Sequence, residues 1–133
     1  MTSLAEAFDP EFSGPPHVCV EMSGNHQGPL EAARDFVDAA HAAGADSVKV
    51  QVYRPDTITM DSDGEDFRVK TDENDWASYG TLYRLYEKAH TPWNWIEAIF
   101  KRAGALGLPV FASPFDPTAI DFLESLGCPA YKI

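Results

Sequence analysis

Short apolar runs alternate with helix-period segments along most of this chain, and that alternation restricts the fold more than any other feature. Residues 18–22, 47–52, 108–112 and 130–133 have the length and apolar content of strands. Between them, Leu30, Ala33, Phe36, Val37 and Ala40 recur at helical spacing, as do Ile96, Ile99, Phe100, Ala103 and Leu106, then Ile120, Leu123 and Leu126. The punctuation agrees. Pro29 suits a first helical turn, Thr91 a cap with Pro92 at the first helical position, and Asp116 a cap before Pro117, while Gly44, Gly107 and Gly127 end the three helices. Strands that alternate with helices join by right-handed crossovers into a parallel sheet, so the expected order is βαβαβαβ. Such a unit is either an open doubly wound sheet or part of a closed (βα) barrel. Gly24 and Gly28 do not make the dinucleotide fingerprint, whose first two glycines are separated by one residue. A closed barrel has eight strands and about 250 residues, so on the barrel reading this sequence supplies about the first four strands with their helices.

At 133 residues and 44% hydrophobic content the chain has enough apolar material for one core. Ten Lys plus Arg against 21 Asp plus Glu give a net charge of -11, the wrong sign for neutralising a phosphate backbone, so nucleic acid is excluded as a partner. No apolar run approaches the roughly 20 residues that cross a bilayer, and Glu6, Asp9 and Glu11 stand where a secretory leader would be basic and then apolar. The expectation is a cytoplasmic protein without membrane contact. Cys19 and Cys128 lack metal-ligand spacing and read as buried thiols rather than a disulfide. Residues 1–16, with Pro10, Gly14, Pro15 and Pro16, read as an N-terminal arm, and 17–133 as the folded part.

An acidic excursion interrupts the rhythm after the second strand, from Asp56 through Asp75, with Arg68 and Lys70 as its only basic residues. One short helix is expected there, over 81–89, where Leu82, Leu85, Tyr86 and Ala89 share a side. Its surroundings are rich in rings: Trp76, Tyr79, Tyr83, Tyr86, Trp93 and Trp95. These either pin the excursion to the body or line a substrate pocket.

Four ordered motifs sit at the ends of consecutive expected strands. They are Glu21-Met22-Ser23-Gly24-Asn25-His26, Val48-Lys49-Val50-Gln51, Phe111-Ala112-Ser113-Pro114-Phe115-Asp116 and Cys128-Pro129-Ala130-Tyr131-Lys132-Ile133. Together they resemble the N-terminal half of the sialic acid synthase family, and the stretch from Thr81-Leu82-Tyr83 to His90-Thr91-Pro92-Trp93 resembles its pseudaminic acid synthase branch. The resemblance implies an α/β fold, a partial TIM (β/α)8 barrel, with the rest of the barrel and a small antifreeze-like domain lying outside these residues. It implies an enzyme, homodimeric when intact, that condenses phosphoenolpyruvate with an N-acetylated amino sugar and water. For this branch the acceptor is 2,4-diacetamido-2,4,6-trideoxy-altrose, and the products are pseudaminic acid and phosphate. A divalent cation, Mn or Mg, is implied for the intact enzyme, with its histidine ligands outside this chain, so none of His26, His41 or His90 is assigned to a metal.

Residue by residue, the resemblance assigns Lys49, Ser113 and Lys132 to phosphoenolpyruvate and Glu21 to the reacting carbons as a catalytic group. The chemistry is apt: two fixed cations and a hydroxyl donor suit a phosphate and a carboxylate. Competing readings stand beside each assignment. Either lysine can instead be a structural ion pair, Ser113 a loop-stabilising hydroxyl, and Glu21 simply the partner of Lys49, since an unpaired carboxylate is costly to bury. Asn25 and His26 are read as shaping the site. Gln51, Tyr53, Tyr83, Trp93 and Phe115 are candidates for the sugar side, with core packing the alternative for Phe115. Outside the resemblance, a non-enzymatic small-ligand module or an independent α/β interaction domain would account for the same strand pattern. On the barrel reading the isolated chain is expected to be inactive.

Overall fold

The computed structural model describes residues 3–24, 26, 28–70 and 75–133. Among them β1 (Cys19–Glu21), β2 (Ser47–Val52) and β3 (Val110–Pro114) form one open parallel sheet in the order β1-β2-β3. The helices are α1 (Leu4–Ala7), α2 (Leu30–Ala42), α3 (Pro55–Ile58), α4 (Leu82–Ala89), α5 (Trp93–Ala105) and α6 (Pro117–Ser125).

Strand β2 explains how the layers are arranged. Its side chains alternate, so Val48, Val50 and Val52 share one face and are buried, while Ser47, Lys49 and Gln51 share the other. The valine face meets the apolar stripes of the helices: Ala33 and Val37 of α2, Ile96, Ile99 and Ala103 of α5, and Ala119 and Leu123 of α6, all buried in one cluster. Helix α5 is central to that layer because it packs on both α2 and β2. The polar face is left without a helical cover, and the register aligns it. Glu21 lies level with Lys49, Lys49 with Phe111, and Gln51 with Ser113.

The start of α6 follows from its sequence. The Asp116 carboxylate accepts from the backbone N–H of Thr118 at 2.8 Å and of Ala119 at 3.3 Å, with Pro117 in the first turn. Burial, the largest influence on this carboxyl, pushes its pKa up but is outweighed by the hydrogen bonds from Thr118 and Ala119, which leave it below the ordinary value. A carboxyl depressed in the folded state contributes stability above its unfolded pKa and loses it as pH falls through the folded pKa. Asp116→Ala is therefore expected to cost about 1 kcal/mol at neutral pH, a difference that shrinks in acid when urea midpoints of the two proteins are compared across pH.

Several expectations are corrected. Residues 130–133 do not form a fourth strand: Tyr131 makes an isolated parallel bridge with Ala112, flanked by hydrogen bonds from the Ala112 N–H to the Ala130 carbonyl at 3.4 Å and from the Lys132 N–H to the Ala112 carbonyl at 2.9 Å. Pro129 has no N–H to give a longer ladder on the side that precedes the bridge. The entrance to α5 is displaced by one residue: Pro92 is the cap, Thr91 is not, and no side chain closes that end. Cys19 is exposed rather than buried, because it opens the edge strand on the face that no helix covers; Cys128 is half-buried, and both are free thiols. Its burial holds the Cys128 thiol above the ordinary value. Ile120, expected on the apolar face of α6, is 41% exposed, since cover on that helix extends to Ala119 and Leu123 but not to it. The arm contains α1, one turn closed by a Ser3–Glu6 capping box.

The excursion is more ordered than a loop. It holds α3, short 3-10 turns at Glu65–Phe67 and Ala77–Tyr79, and the expected helix α4 capped by Thr81. An antiparallel bridge between Arg68 and Thr81, with the Val69 N–H donating to the Gly80 carbonyl at 3.1 Å, ties the middle of the excursion to the start of α4. Asp72 and Glu73, part of its acidic run, lie outside the described residues.

Candidate functional site

The site has two parts, a polar sheet face and an aromatic cleft beside it. On the sheet face, Lys49 of β2 is ion-paired with Glu21 of β1 through Nζ and Oε2. The pairing is what the register dictates, because adjacent residues of parallel strands present side chains to the same side. The second carboxylate oxygen of Glu21, Oε1, is buried and has no hydrogen-bond partner among the described residues. Glu21 is thus paired and still holds an acceptor in reserve. Ser113 is buried on β3 level with Gln51. Continuing the Ala112–Tyr131 bridge by one residue sets Lys132 level with Ser113, and the Lys132 side chain is exposed.

The cleft opens at the carboxyl ends of β1 and β2 and has a volume of about 770 Å³, within the usual size of small-molecule sites. Its floor comes from the loop after β1 and from Gln51 and Tyr53; its far wall comes from α4 and the start of α5. Two backbone features bring these walls together. Ser23 adopts a left-handed φ of 46° in the turn that follows β1, a conformation that a non-glycine residue holds only under constraint. At Gly24 a Cβ would approach the Ala89 carbonyl oxygen to 3.2 Å, so a side chain here would push α4 away from the sheet.

Rings line the cleft. Tyr53 is buried and meets Tyr86 edge-on at 6.0 Å, Phe115 edge-on at 5.4 Å and His90 at 6.4 Å. Burial raises the Tyr53 phenol above its ordinary pKa, so it stays a neutral donor. His26 is 7% exposed and its ring stands edge-on to Trp95 at 5.4 Å. Burial holds the His26 imidazole below its ordinary value, and the nearby His90 acts in the same direction.

Of the sequence-assigned residues, the structure places His26, Gln51 and Tyr53 in the cleft and Glu21, Lys49 and Ser113 on the sheet face, with Lys132 one residue past the bridge of Tyr131 to Ala112. Asn25 lies outside the described residues. Phe115 touches Tyr53 from outside the cleft and is 45% exposed. Tyr83 is half-buried outside the lining. Trp93 is elsewhere: its ring stacks on Phe122 of α6 at 4.7 Å and carries the Arg54 guanidinium at 4.0 Å on its face. The cleft residues not assigned from sequence include Ser23, Tyr86, His90 and Trp95. Helix geometry offers a signal for the last of these, because residues two apart project about 200° apart, so Trp93 and Trp95 cannot serve the same surface.

Comparison with known proteins adds the family context. A family model described as the NeuB family matches residues 36–133. The chain is 44% identical over 116 residues to a pseudaminic acid synthase of Campylobacter jejuni and 40% identical over 119 residues to one of Helicobacter pylori. These matches cover 87% and 90% of this chain but 33% and 34% of those relatives, so the chain spans about a third of their length. Among solved structures, an N-acetylneuraminic acid synthetase from Leptospira borgpetersenii, crystallised with citrate, superposes with a TM-score of 0.70 over 90% of this chain and 36% of that one. At 22% identity that likeness concerns the fold.

Proposed function

The chain belongs to the NeuB family, and from that premise we propose that residues 17–133 form the first half of a TIM-barrel synthase that makes pseudaminic acid. One observation carries the reading. In a chain 44% identical to a pseudaminic acid synthase, the register gathers Glu21, Lys49, Gln51 and Ser113 on the one sheet face that the helical layer does not cover.

On this reading the Lys49 and Lys132 ammonium groups hold the phosphate and carboxylate of phosphoenolpyruvate, and the Ser113 hydroxyl donates to a phosphate oxygen. The acceptor, 2,4-diacetamido-2,4,6-trideoxy-altrose in its open-chain form, lies in the aromatic cleft, and Gln51 faces both substrates. The enol carbon attacks the aldehyde, water adds to the cationic centre that results, and phosphate leaves by C–O cleavage. Glu21 Oε1 orients that water or takes its proton. Among the described residues no three His, Cys, Asp or Glu side chains converge as a metal requires. On this reading the ligands of the family's divalent cation lie outside these residues, and no step is routed through it. No helix among the described residues is long and apolar enough to cross a membrane, and the reading places a homodimeric enzyme in the cytoplasm with its phosphoenolpyruvate.

Grafting the chain onto the remaining two-thirds of a pseudaminic acid synthase tests the assignment. The chimera is expected to release phosphate only when both phosphoenolpyruvate and the amino sugar are supplied, and the 133-residue chain alone to release none. A folded chimera that leaves both substrates untouched, beside an active parent, would overturn it.

The two tryptophans of α5 separate packing from binding. Trp93→Ala is expected to cost about 1–3 kcal/mol, less than a fully buried ring because Trp93 is half-buried, with sugar affinity nearly unchanged. Trp95→Ala is expected to weaken sugar binding more than it lowers the melting temperature. Thermal unfolding and sugar titration on the same preparations check both.

A further inference from the structure

The His26 side chain has a chemistry that nothing among the described residues answers. It is 7% exposed, lines the cleft, and neither Nδ1 nor Nε2 has a hydrogen-bond partner among the described residues. A buried imidazole with both nitrogens unpaired is unfavourable, because its donor and its lone pair have both been taken from water and given nothing in return. A ligand that pairs them removes that penalty.

The cleft restricts which ligand can do so. Among the described residues its charged lining residues are Glu87 and Lys88, one of each sign, which favours a neutral ligand over an ion. A neutral imidazole presents one N–H donor and one acceptor that point in different directions, so each takes its own partner: an amide carbonyl suits the N–H, and an amide N–H suits the lone pair. Trp95, edge-on to the same ring at 5.4 Å, supplies an apolar surface against which a methyl group can rest. An acylamino group has all three parts: carbonyl, N–H and methyl. A hydroxyl can pair one nitrogen but sets a polar group against the indole.

We propose that His26 and Trp95 together form the acylamino-recognition point of the cleft, the imidazole hydrogen-bonding the amide and the indole holding its methyl. This rests on the reading that the acceptor sugar occupies the cleft, and it assigns to His26 a specificity-determining contact with that sugar.

Two variants and one spectroscopic signal test it. The 15N resonances of the His26 imidazole in the 133-residue chain are followed while 2,4-diacetamido-2,4,6-trideoxy-altrose or 6-deoxy-altrose is added. The diacetamido sugar is expected to shift them saturably and to bind at least 10-fold more tightly than its hydroxyl counterpart. His26→Phe, which keeps a ring against Trp95 and loses both polar nitrogens, is expected to weaken diacetamido sugar binding at least 10-fold, while His26→Gln, which keeps a donor and an acceptor, stays within threefold. Saturable binding that leaves the His26 nitrogens unmoved, or equal affinity for the two sugars, overturns the recognition point while the acceptor reading stands. No binding of either sugar to the unmodified chain removes both. The resonance measurement needs no substitution, so a misfolded variant does not leave the proposal unanswered.

Discussion

Ile99→Ala is expected to lower the unfolding free energy by about 2–5 kcal/mol, as large-to-small substitutions in a packed core do. Ile99 is fully buried in the cluster that α5 shares with α2 and β2. Truncation removes apolar contacts and leaves a cavity that three elements would have to move together to fill. Against a total stability of about 5–15 kcal/mol for a small domain, that is a large share. Ile120→Ala on α6 provides the control, because the same deletion at a site 41% exposed is expected to change stability by less than about 0.5 kcal/mol. Urea midpoints for the two variants check the difference. Equal losses would mean that the sheet is not sealed by α5 as described.

The contrast between the two isoleucines also shows what the sequence could and could not disclose. Both satisfy the helical apolar period, and periodicity identifies the stripe without revealing how far its cover extends. The strand β2 was fully legible, down to its ends at Ser47 and Val52, because alternation within a buried strand fixes which side chains face the helices. Asp116 was legible as a cap for a similar reason: its chemistry is local. Local rules failed where the outcome depended on distant partners. Whether residues 130–133 become a strand depends on neighbours on both sides, and Tyr131 found one bridging partner in Ala112. Of the two tryptophans of α5, the helical period separates their directions, but only the placement of Phe122 and His26 decides which one meets the cleft. The pairing of Glu21 with Lys49 was anticipated as an alternative to a role in the site, and an Oε1 without a partner among the described residues leaves room for both.

Lys49→Met and Lys132→Met are each expected to weaken phosphoenolpyruvate binding about 10-fold to 150-fold. Methionine approximately preserves the apolar stem of lysine and removes the ammonium. The direct loss is a set of charge-assisted hydrogen bonds worth about 1.5–3 kcal/mol, and about 1.4 kcal/mol corresponds to each tenfold. A net charge of -11 makes local cations the more necessary for an anionic substrate. Lys49 adds a complication, since its ammonium already serves Glu21. An ammonium has three donors, so the pair leaves two for a phosphate or carboxylate, and Glu21 holds the group in place rather than exhausting it. Glu21→Gln is accordingly expected to change phosphoenolpyruvate affinity by less than about threefold, even though it removes the proposed proton acceptor and lowers turnover. Direct titration of phosphoenolpyruvate against folded single variants is the measurement. The double lysine variant need not show the product of the single losses, because two cations on one phosphate reorganise around it. If both methionine variants bind phosphoenolpyruvate as tightly as the unmodified protein, the lysines are structural, and Lys49 is on the sheet face only to neutralise Glu21.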